Sequence, residues 1–445
     1  MGRSRASKLP QDPVTVHIES INHDGRGVAC VEGRSVFIHG ALTGEKVVFR
    51  YTRIKGQQAE GEVEEVLSPS PDRVSAKCPQ FGACGGCSLQ HQHPSAQIRD
   101  KQQMLMHAFA SIGNVVPERI LPPLTGDSVW GYRKKARLGV KYVAKKERVL
   151  VGFRERGSGF ICDTERCHVL DPKVGELLVP LARMIEGLSI KERIPQIEVA
   201  IDDSDCILIF RLLSAASADD LQRISDFCDA QGVIPYLQEG GAESLRPLAG
   251  ESRALCYRLP THGLDFHFLP TDFTQVNSGL NRLMVDQALQ LLNVKPEESV
   301  LDLFCGLGNF TLPLARSAAE VSGVEGDAGL VARARQNALA NDIHNARFYT
   351  ADLYQRLDNE PWPWLRESFD KVLLDPPRSG AQQLLRYLPE TGARRIVYVS
   401  CHPDTLARDA GELVNLHGYR LVAAGVMDMF QHTAHVESIA LFETD

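Results

Sequence analysis

The stretch V-L-D-L-F-C-G-L-G-N-F, Val300 to Phe310, decides the fold class. Its first half is a continuous apolar run, the mark of a strand buried on both faces. Gly306 and Gly308 follow, and glycine lets a backbone approach a ligand closely over a helix start. Four further apolar runs repeat the theme: V-S-G-V-E at 321–325, R-F-Y-T-A-D at 347–352, D-K-V-L-L-D at 370–375 and I-V-Y-V-S at 396–400. Helical spacing fills the gaps, at about 309–317, 327–341, 381–389 and 403–417. Strands alternating with helices predict an α/β, doubly wound, Rossmann-like parallel sheet. The end of the chain, from V-M-D-M-F at 426–430 to V-E-S-I-A-L-F at 436–442, returns as a hairpin, so the last strand is expected to be antiparallel.

In such a sheet the ligand lies beyond the carboxyl ends of the strands. A lone G-x-G is a weak signal, but Glu325 ends the second strand where a carboxylate takes ribose hydroxyls. Asp352 closes the third and is placed to accept from an adenine amino group. There is no third glycine for a pyrophosphate and no phosphate-loop signature. A nucleoside without phosphates therefore fits better than NAD, and S-adenosyl-L-methionine is such a nucleoside.

The fifth strand runs into V-Y-V-S-C-H-P-D-T-L-A-R-D, Val397 to Asp409. Pro403 opens a helix, Asp404 suits its N-terminus, and Cys401 stands between strand and helix. A buried structural cysteine is the bland reading of that position; the helix start instead predicts a thiolate. The fourth strand ends D-P-P-R, Asp375 to Arg378. Enzymes that methylate exocyclic amines carry an aromatic after the prolines, and RNA cytosine-C5 enzymes usually carry a cysteine there. Arg378 fits neither, which leaves carbon methylation through Cys401. C5 of uracil is too weak a nucleophile to displace a methyl group from a sulfonium. A thiolate adding to C6 makes C5 electron-rich enough to attack, and a base must then remove the C5 proton. Glu437, in H-T-A-H-V-E-S, is the candidate base, with His432 and His435 as rivals; a solvated strand carboxylate is its plain alternative.

Upstream, residues 14–67 alternate in the strand manner, with turn signals at Asp24-Gly25, Glu32-Gly33 and Thr43-Gly44, and predict a small closed barrel. After a Ser68-Pro69-Ser70-Pro71 linker comes C-P-Q-F-G-A-C-G-G-C, with Cys78, Cys84 and Cys87 as metal or cluster ligands. The fourth ligand is Cys162 or Cys167, and four thiolates suit zinc or a 4Fe–4S cluster alike. Residues 95–112 have the spacing of a plain packing helix. Between Gly131 and Arg156 stand ten Lys or Arg against two Glu, in a chain whose net charge is −7. Tyr132, Tyr142 and Phe153 interleave with them, so a hairpin facing RNA is expected there.

At 445 residues two or three domains are expected. The boundaries drawn are a basic flexible arm at 1–13, the barrel at 14–67, a central α+β domain at 68–260 (with 95–125 helical and packed on the last domain) and the catalytic domain at 261–445. Eleven cysteines do not resemble a disulfide framework. There is no membrane-length apolar run, and Arg3, Arg5 and Lys8 lack the apolar core of a signal peptide. A cytoplasmic monomer without membrane partners is expected.

Taken together, F-T-Q-V-N at 273–277, L-D-L-F-C-G-L-G-N-F-T, L-L-D-P-P-R, V-Y-V-S-C-H-P-D-T-L-A-R-D and H-V-E-S resemble the RNA uracil-C5 methyltransferases. Residues 14–67 look like the TRAM domain of many members, OB-like and RNA-binding, and the cysteine run looks like their 4Fe–4S motif. The resemblance covers nearly the whole chain and points to the branch acting on 23S ribosomal RNA; another 23S uridine or tRNA is the alternative target. A non-catalytic iron–sulfur RNA-binding module is the alternative of a different class. The resemblance implies that Gln275, Phe304, Asn309, Glu325, Asp352 and Asp375 line the S-adenosyl-L-methionine site. It implies Cys401 as nucleophile, Glu437 as proton acceptor, and Cys78, Cys84, Cys87 and Cys167 as holders of a structural 4Fe–4S cluster. His402 and Asp352 stand where members often have Asn.

Overall fold

The computed structural model describes residues 9–444 apart from 11, 356 and 358–361. Arg3, Arg5 and Lys8 of the expected basic arm lie outside the described residues. The chain forms two compact units. One gathers Met1–Met104, Arg154–Phe160 and Phe430–His435; the other holds Leu105–Phe153, Ile161–Met429 and Val436–Asp445.

In the first unit six strands lie in the order Val14–His17, Lys46–Lys55, Gln58–Ser68, Arg34–His39, Gly27–Val31 and Ser20–Ile21. The two edge strands are consecutive in sequence. Between them Ile18 N–H donates to Glu45 O (2.9 Å) and Glu19 N–H to Val28 O (2.8 Å), so the chain crosses from one edge to the other with its hydrogen bonds kept. That closes the sheet into the expected barrel and removes its free edges. Alternate residues Val47, Phe49 and Tyr51 point inward to pack with Ile18, Val36, Ile38 and Ala59. Gly61 makes room for the Phe49 ring, since a Cβ there would fall 2.4 Å from it. The Ser-Pro stretch is pinned by a buried ion pair. Glu45 accepts from Arg73 Nε (2.5 Å) and from the N–H of Leu42 and Ser70. Burial opposes its ionisation, but these donors outweigh burial and hold Glu45 below the usual carboxylate range.

The cysteine run is a chain of tight turns, with Phe81 N–H on Cys78 O and Cys84 N–H on Gln80 O. Residues 154–160 brace it, through Gly85 N–H on Arg154 O (2.9 Å) and Arg156 N–H on Ala83 O (2.8 Å). The helix Pro94–Ala108 follows, continuing as a π-turn over Phe109–Gly113. It is more than a plain packing helix, because Gln97 and Lys101 are fully buried and Asp100 nearly so. Helix does not extend over all of 95–125: Asn114 turns left-handed, prolines follow at 117, 122 and 123, and Arg119–Ile120 is a strand.

The second unit contains two large sheets. One orders Arg246–Pro247, Ile234–Gln238, Cys206–Arg211, Gln196–Ile201, Lys135–Val143 and Arg148–Gly152 over a core that includes Leu181, Ile185, Ile224 and Phe210. The other runs Ala346–Thr350, Glu320–Glu325, Ser299–Leu303, Lys371–Leu374, Arg395–Ser400, Glu437–Glu443, Arg420–Met427 and Arg119–Ile120. The first five strands of this sheet are parallel and Glu437–Glu443 is antiparallel, as the sequence predicts. No helix among the described residues is long and apolar enough to cross a membrane.

Candidate active site

Beyond the carboxyl end of Ser299–Leu303 the backbone is strained. Phe304 has a φ of 66°, in the left-handed region that a bulky residue rarely enters. Its N–H and that of Cys305 both donate to Val324 O, which fixes the turn. At Gly306, with φ 55°, an added Cβ would meet only open space, so the turn presents an uncovered backbone surface. Gly306 N–H donates to Glu325 Oε2 (3.1 Å), which brings together two of the expected nucleoside-binding elements.

Asn309 is held by two groups that sequence reasoning missed. Its Oδ1 accepts from Tyr257 OH (2.9 Å), and its amide exchanges two 3.0 Å hydrogen bonds with Asn281. Tyr257 in turn stacks on Phe266, ring centroids 4.9 Å apart. Gln275 lines a small cavity with Tyr257, Thr274, Ser278 and Asn281, so it joins the same cluster. Asp352 caps its own turn, accepting from Tyr354 N–H and Gln355 Nε2. Tyr354 faces Phe304 with ring centroids 5.8 Å apart.

The pocket is strongly acidic. Asp302 is fully buried; burial pushes its carboxyl up to about 7, with the Thr311 hydroxyl opposing and Asp375 and Glu325 adding to the rise. Thr311 Oγ1 donates to Oδ2 (2.5 Å), while Oδ1 is buried with no hydrogen-bond partner. Burial also carries Asp375 up to about 7. An uncovered glycine turn and an orphaned carboxylate oxygen beside further carboxylates fit a ligand that carries positive charge, as the ammonium and sulfonium of S-adenosyl-L-methionine do. Asp302 is visible in the sequence as a charge inside the apolar run V-L-D-L-F.

Cys401 follows Ser400 at the end of its strand. Ser400 pairs with Ser438 across the sheet, and Ser438 Oγ donates to Ser400 O (3.0 Å). The pairing ends there; Cys401 follows Ser400 and Glu437 precedes Ser438, Glu437 itself pairs with Met427, and its charge acts on the Cys401 sulfur. Glu437 is buried, not a solvated strand carboxylate. The thiolate expectation fails here. Burial, then the charges of Glu437 and Asp375, push the Cys401 thiol up to about 11, and Arg378 and a backbone hydrogen bond recover only part of that. The Arg378 loop is fastened to the helix Pro403–Asn415: Thr405 Oγ1 donates to Arg378 O (3.2 Å), Arg408 to Ser379 O (2.9 Å), and Ala381 N–H to buried Asp409 (2.8 Å).

His432 and His435, the rival bases, belong to the first unit, where His432 N–H donates to Gln97 Oε1 (2.9 Å). The cysteines behave variously. Cys162, Cys206, Cys228 and Cys305 are buried, Cys30 is exposed, and the others are half-buried. Cys162 is buried and accepts from Thr164 Oγ1 (3.4 Å), whereas Cys167 is half-buried, its N–H on Gly175 O. Gly86 N–H donates to Cys84 Sγ (3.4 Å), a bond that suits a thiolate. Among the described residues no group of three or more His, Cys, Asp or Glu side chains is placed to hold a metal ion. The basic hairpin is also partly spent internally. Lys135 donates to Asp272 O, Lys134 to Asp202 O, and Arg133 lies over the Phe153 ring. Arg137, Lys141, Lys145, Lys146 and Arg148 remain exposed.

Comparison with known proteins accords with this geometry. Residues 255–445 match the tRNA (Uracil-5-)-methyltransferase family and residues 12–63 the TRAM domain. The chain is 55% identical to the 23S rRNA (uracil(1939)-C(5))-methyltransferase RlmD of Alkalilimnicola ehrlichii, over 100% of this chain and 99% of that one. It is 53% identical to the enzyme of the same name from Methylococcus capsulatus, over 99% of both. Among solved structures, the Pyrococcus abyssi tRNA (uracil-54, C5)-methyltransferase in complex with S-adenosyl-L-homocysteine superposes with a TM-score of 0.73 at 23% identity, over 96% of this chain and 99% of that one, a likeness of fold. With more than half its residues shared along the full length of such enzymes, the chain belongs to the RNA uracil-C5 methyltransferase family.

Proposed function

We propose that this enzyme methylates C5 of one uridine in 23S ribosomal RNA, with S-adenosyl-L-methionine as donor and 5-methyluridine as product. The observation that carries the reading is the placement of Cys401 and buried Glu437 at adjoining strand ends, next to the paired Ser400 and Ser438, with the charge of Glu437 and of Asp375 acting on the sulfur. Gln275, Phe304, Asn309, Glu325, Asp352 and Asp375 would hold the donor. When bound, the donor supplies an electrophilic methyl group on a positively charged sulfur. The thiolate form of Cys401, its proton given up to solvent, bonds to uracil C6, and the electron pair of the C5=C6 bond moves toward C5 and its neighbouring carbonyl. C5 takes the methyl group. Glu437 then accepts the C5 proton, the C5=C6 bond re-forms, and the thiolate leaves. Arg378 is the cation that offsets the two carboxylates near the sulfur. The barrel and the exposed cations Arg137, Lys141 and Lys145 supply sequence-independent RNA contacts. Identity of the target in the similar enzymes supports the position that their name gives, uracil 1939.

The same reading gives Cys78, Cys84, Cys87 and Cys167 to a structural 4Fe–4S cluster, supported by the soft donor set and the N–H on Cys84 sulfur. The enzyme would act as a cytoplasmic monomer, with the boundaries near residues 67 and 260 separating barrel, central and catalytic domains. RNA carrying 5-fluorouridine at the target tests the chemistry, because fluorine cannot leave as a proton. A covalent complex with the intact enzyme and none with Cys401→Ala is expected; no complex with either refutes it. Anaerobically purified protein should be brown with stoichiometric iron and sulfide. Colourless protein with stoichiometric zinc would overturn the cluster.

A further inference from the structure

The motif around Cys401 ends in T-L-A-R-D, Thr405 to Asp409, and the chemistry above makes no use of its last residue. Asp409 is a carboxylate with no exposed surface, inside the helix Pro403–Asn415. Such a group is costly unless its lone pairs are taken up, and here three segments take them up. Oδ2 accepts from Tyr398 OH (2.7 Å) and from Ala381 N–H (2.8 Å). Oδ1 accepts from Nε (2.8 Å) and a terminal nitrogen (2.6 Å) of the neighbouring Arg408. Tyr398 is fully buried in the strand Arg395–Ser400, which runs into Cys401. The same terminal nitrogen of Arg408 donates to Ser379 O (2.9 Å), and Thr405 Oγ1 donates to Arg378 O (3.2 Å). Gly380, between these contacts, has φ 77°, and a Cβ there would fall 2.6 Å from both the Arg408 and the Asp409 side chains. The loop thus lies directly on the pair. Asp375, ahead of the two prolines, is held otherwise, its N–H on Leu303 O (3.3 Å) of the neighbouring strand.

We propose that Asp409 is a positioning residue for Arg378: it ties the loop carrying Arg378 to the strand that ends at Cys401 and to the helix that begins after it. The inference rests on Cys401 being the nucleophile. The groups that face the sulfur from other elements are Glu437, Asp375, Arg378 and Tyr354, and His402 follows it in the chain. Glu437 and Asp375 oppose ionisation of the thiol, whereas Arg378 favours it. When the hub is loosened, Arg378 withdraws while Asp375 stays with its strand, so the sulfur becomes harder to ionise. Removing the negative charge of Asp409 would by itself act the other way. The sign therefore separates positioning from a direct effect of charge.

The test is the pH profile of Cys401 alkylation by iodoacetamide in the free full-length enzyme, read by peptide mass spectrometry. Arg378→Gln is the reference and should move the profile to higher pH. Asp409→Asn should move it the same way, slowing labelling at fixed pH by about threefold to tenfold, the equivalent of about half to one unit. Tyr398→Phe takes one hydroxyl from the hub, and Gly380→Ala crowds it from the loop side. Both should act in the same direction, and Tyr398→Phe decides the matter if Asp409→Asn does not fold. In an Arg378→Gln background Asp409→Asn should add nothing, because its effect passes through the arginine. Profiles that stay in place or move to lower pH, or an effect that persists in full without Arg378, overturn the positioning role. Adduct formation with RNA carrying 5-fluorouridine separates this outcome from failure of the underlying reading. If the wild type forms no adduct, Cys401 is not the nucleophile and the inference falls with it; if the wild type forms the adduct but the hub variants leave the profile unmoved, only the positioning role falls.

Discussion

Replacing Glu437 with glutamine removes one negative charge that acts on Cys401 while keeping size and hydrogen-bonding capacity. The thiol of Cys401 stands at about 11, raised first by burial, then by Glu437, then by Asp375. Near pH 8 that leaves about one molecule in a thousand as thiolate. The sign is fixed: a nearby anion disfavours a second one, so its removal lowers the thiol pKa. Glu437 ranks behind burial among the causes, so it accounts for less than the whole rise. A shift of about one unit would raise the thiolate fraction, and alkylation at fixed pH, about tenfold. Iodoacetamide labelling followed by peptide mass spectrometry reads Cys401 separately from the other ten thiols. The expected result is faster labelling in Glu437→Gln and slower labelling in Arg378→Gln, which removes the opposing cation. Equal or slower labelling in Glu437→Gln would show that the carboxylate does not act on the sulfur, and the proposed pairing of nucleophile and base would be wrong. The same variant should lose turnover, so a reactive cysteine and an inactive enzyme are predicted together.

Because Asp302 titrates near 7, donor affinity should rise as pH increases through about 7, when the buried acid ionises. S-adenosyl-L-homocysteine, which lacks the sulfonium charge, should show a weaker rise in calorimetric titrations, and Asp302→Asn should reduce both, leaving the share of Asp375, which burial also carries up to about 7. Glu45 is held below the usual carboxylate range, so its contribution to stability is fully present above the unfolded-state pKa and is lost as pH falls through the folded value. Thermal unfolding of wild type across the acid range should therefore fall more steeply than that of Glu45→Gln. Gly61→Ala puts a methyl group 2.4 Å from the Phe49 ring and should destabilise the barrel by about 1–3 kcal/mol, seen as faster hydrogen exchange in the strands Lys46–Lys55 and Gln58–Ser68 with methyl transfer at saturating RNA retained.

The catalytic sheet was legible because its signals are local. Each parallel strand is a short apolar run, and the structure places them within a residue or two of the expected limits. The closed barrel was legible for the same reason, from alternation and turn residues. What escaped depends on pairs distant in sequence. Asn281 lies in a helix whose neighbours Leu280, Met284 and Val285 are apolar, and nothing near it says that its amide meets Asn309. Gln97 and Lys101 lie in what reads as a plain packing helix, and nothing local shows that they meet His432 and Phe430, more than 300 residues away. The helix expected to run to 125 stops at 113, where Asn114 turns left-handed and three prolines follow.

Cys401 shows most plainly why local chemistry misleads. A cysteine ahead of a helix N-terminus is a good reason to expect a thiolate, since that end carries about half a positive charge. The argument is sound for an exposed terminus, where little opposes it. Here burial acts against any charge on the sulfur, and two carboxylates arrive from other strands, Asp375 from the fourth and Glu437 from the antiparallel last one. Neither neighbour is visible from the stretch that contains the cysteine. The same register that makes Glu437 available to take a proton from the substrate also makes the sulfur harder to ionise. Nucleophile and base thus oppose one another in the free enzyme, and the sulfur must gain its reactivity when RNA and the cationic donor enter, because only then does the balance of charge around it change.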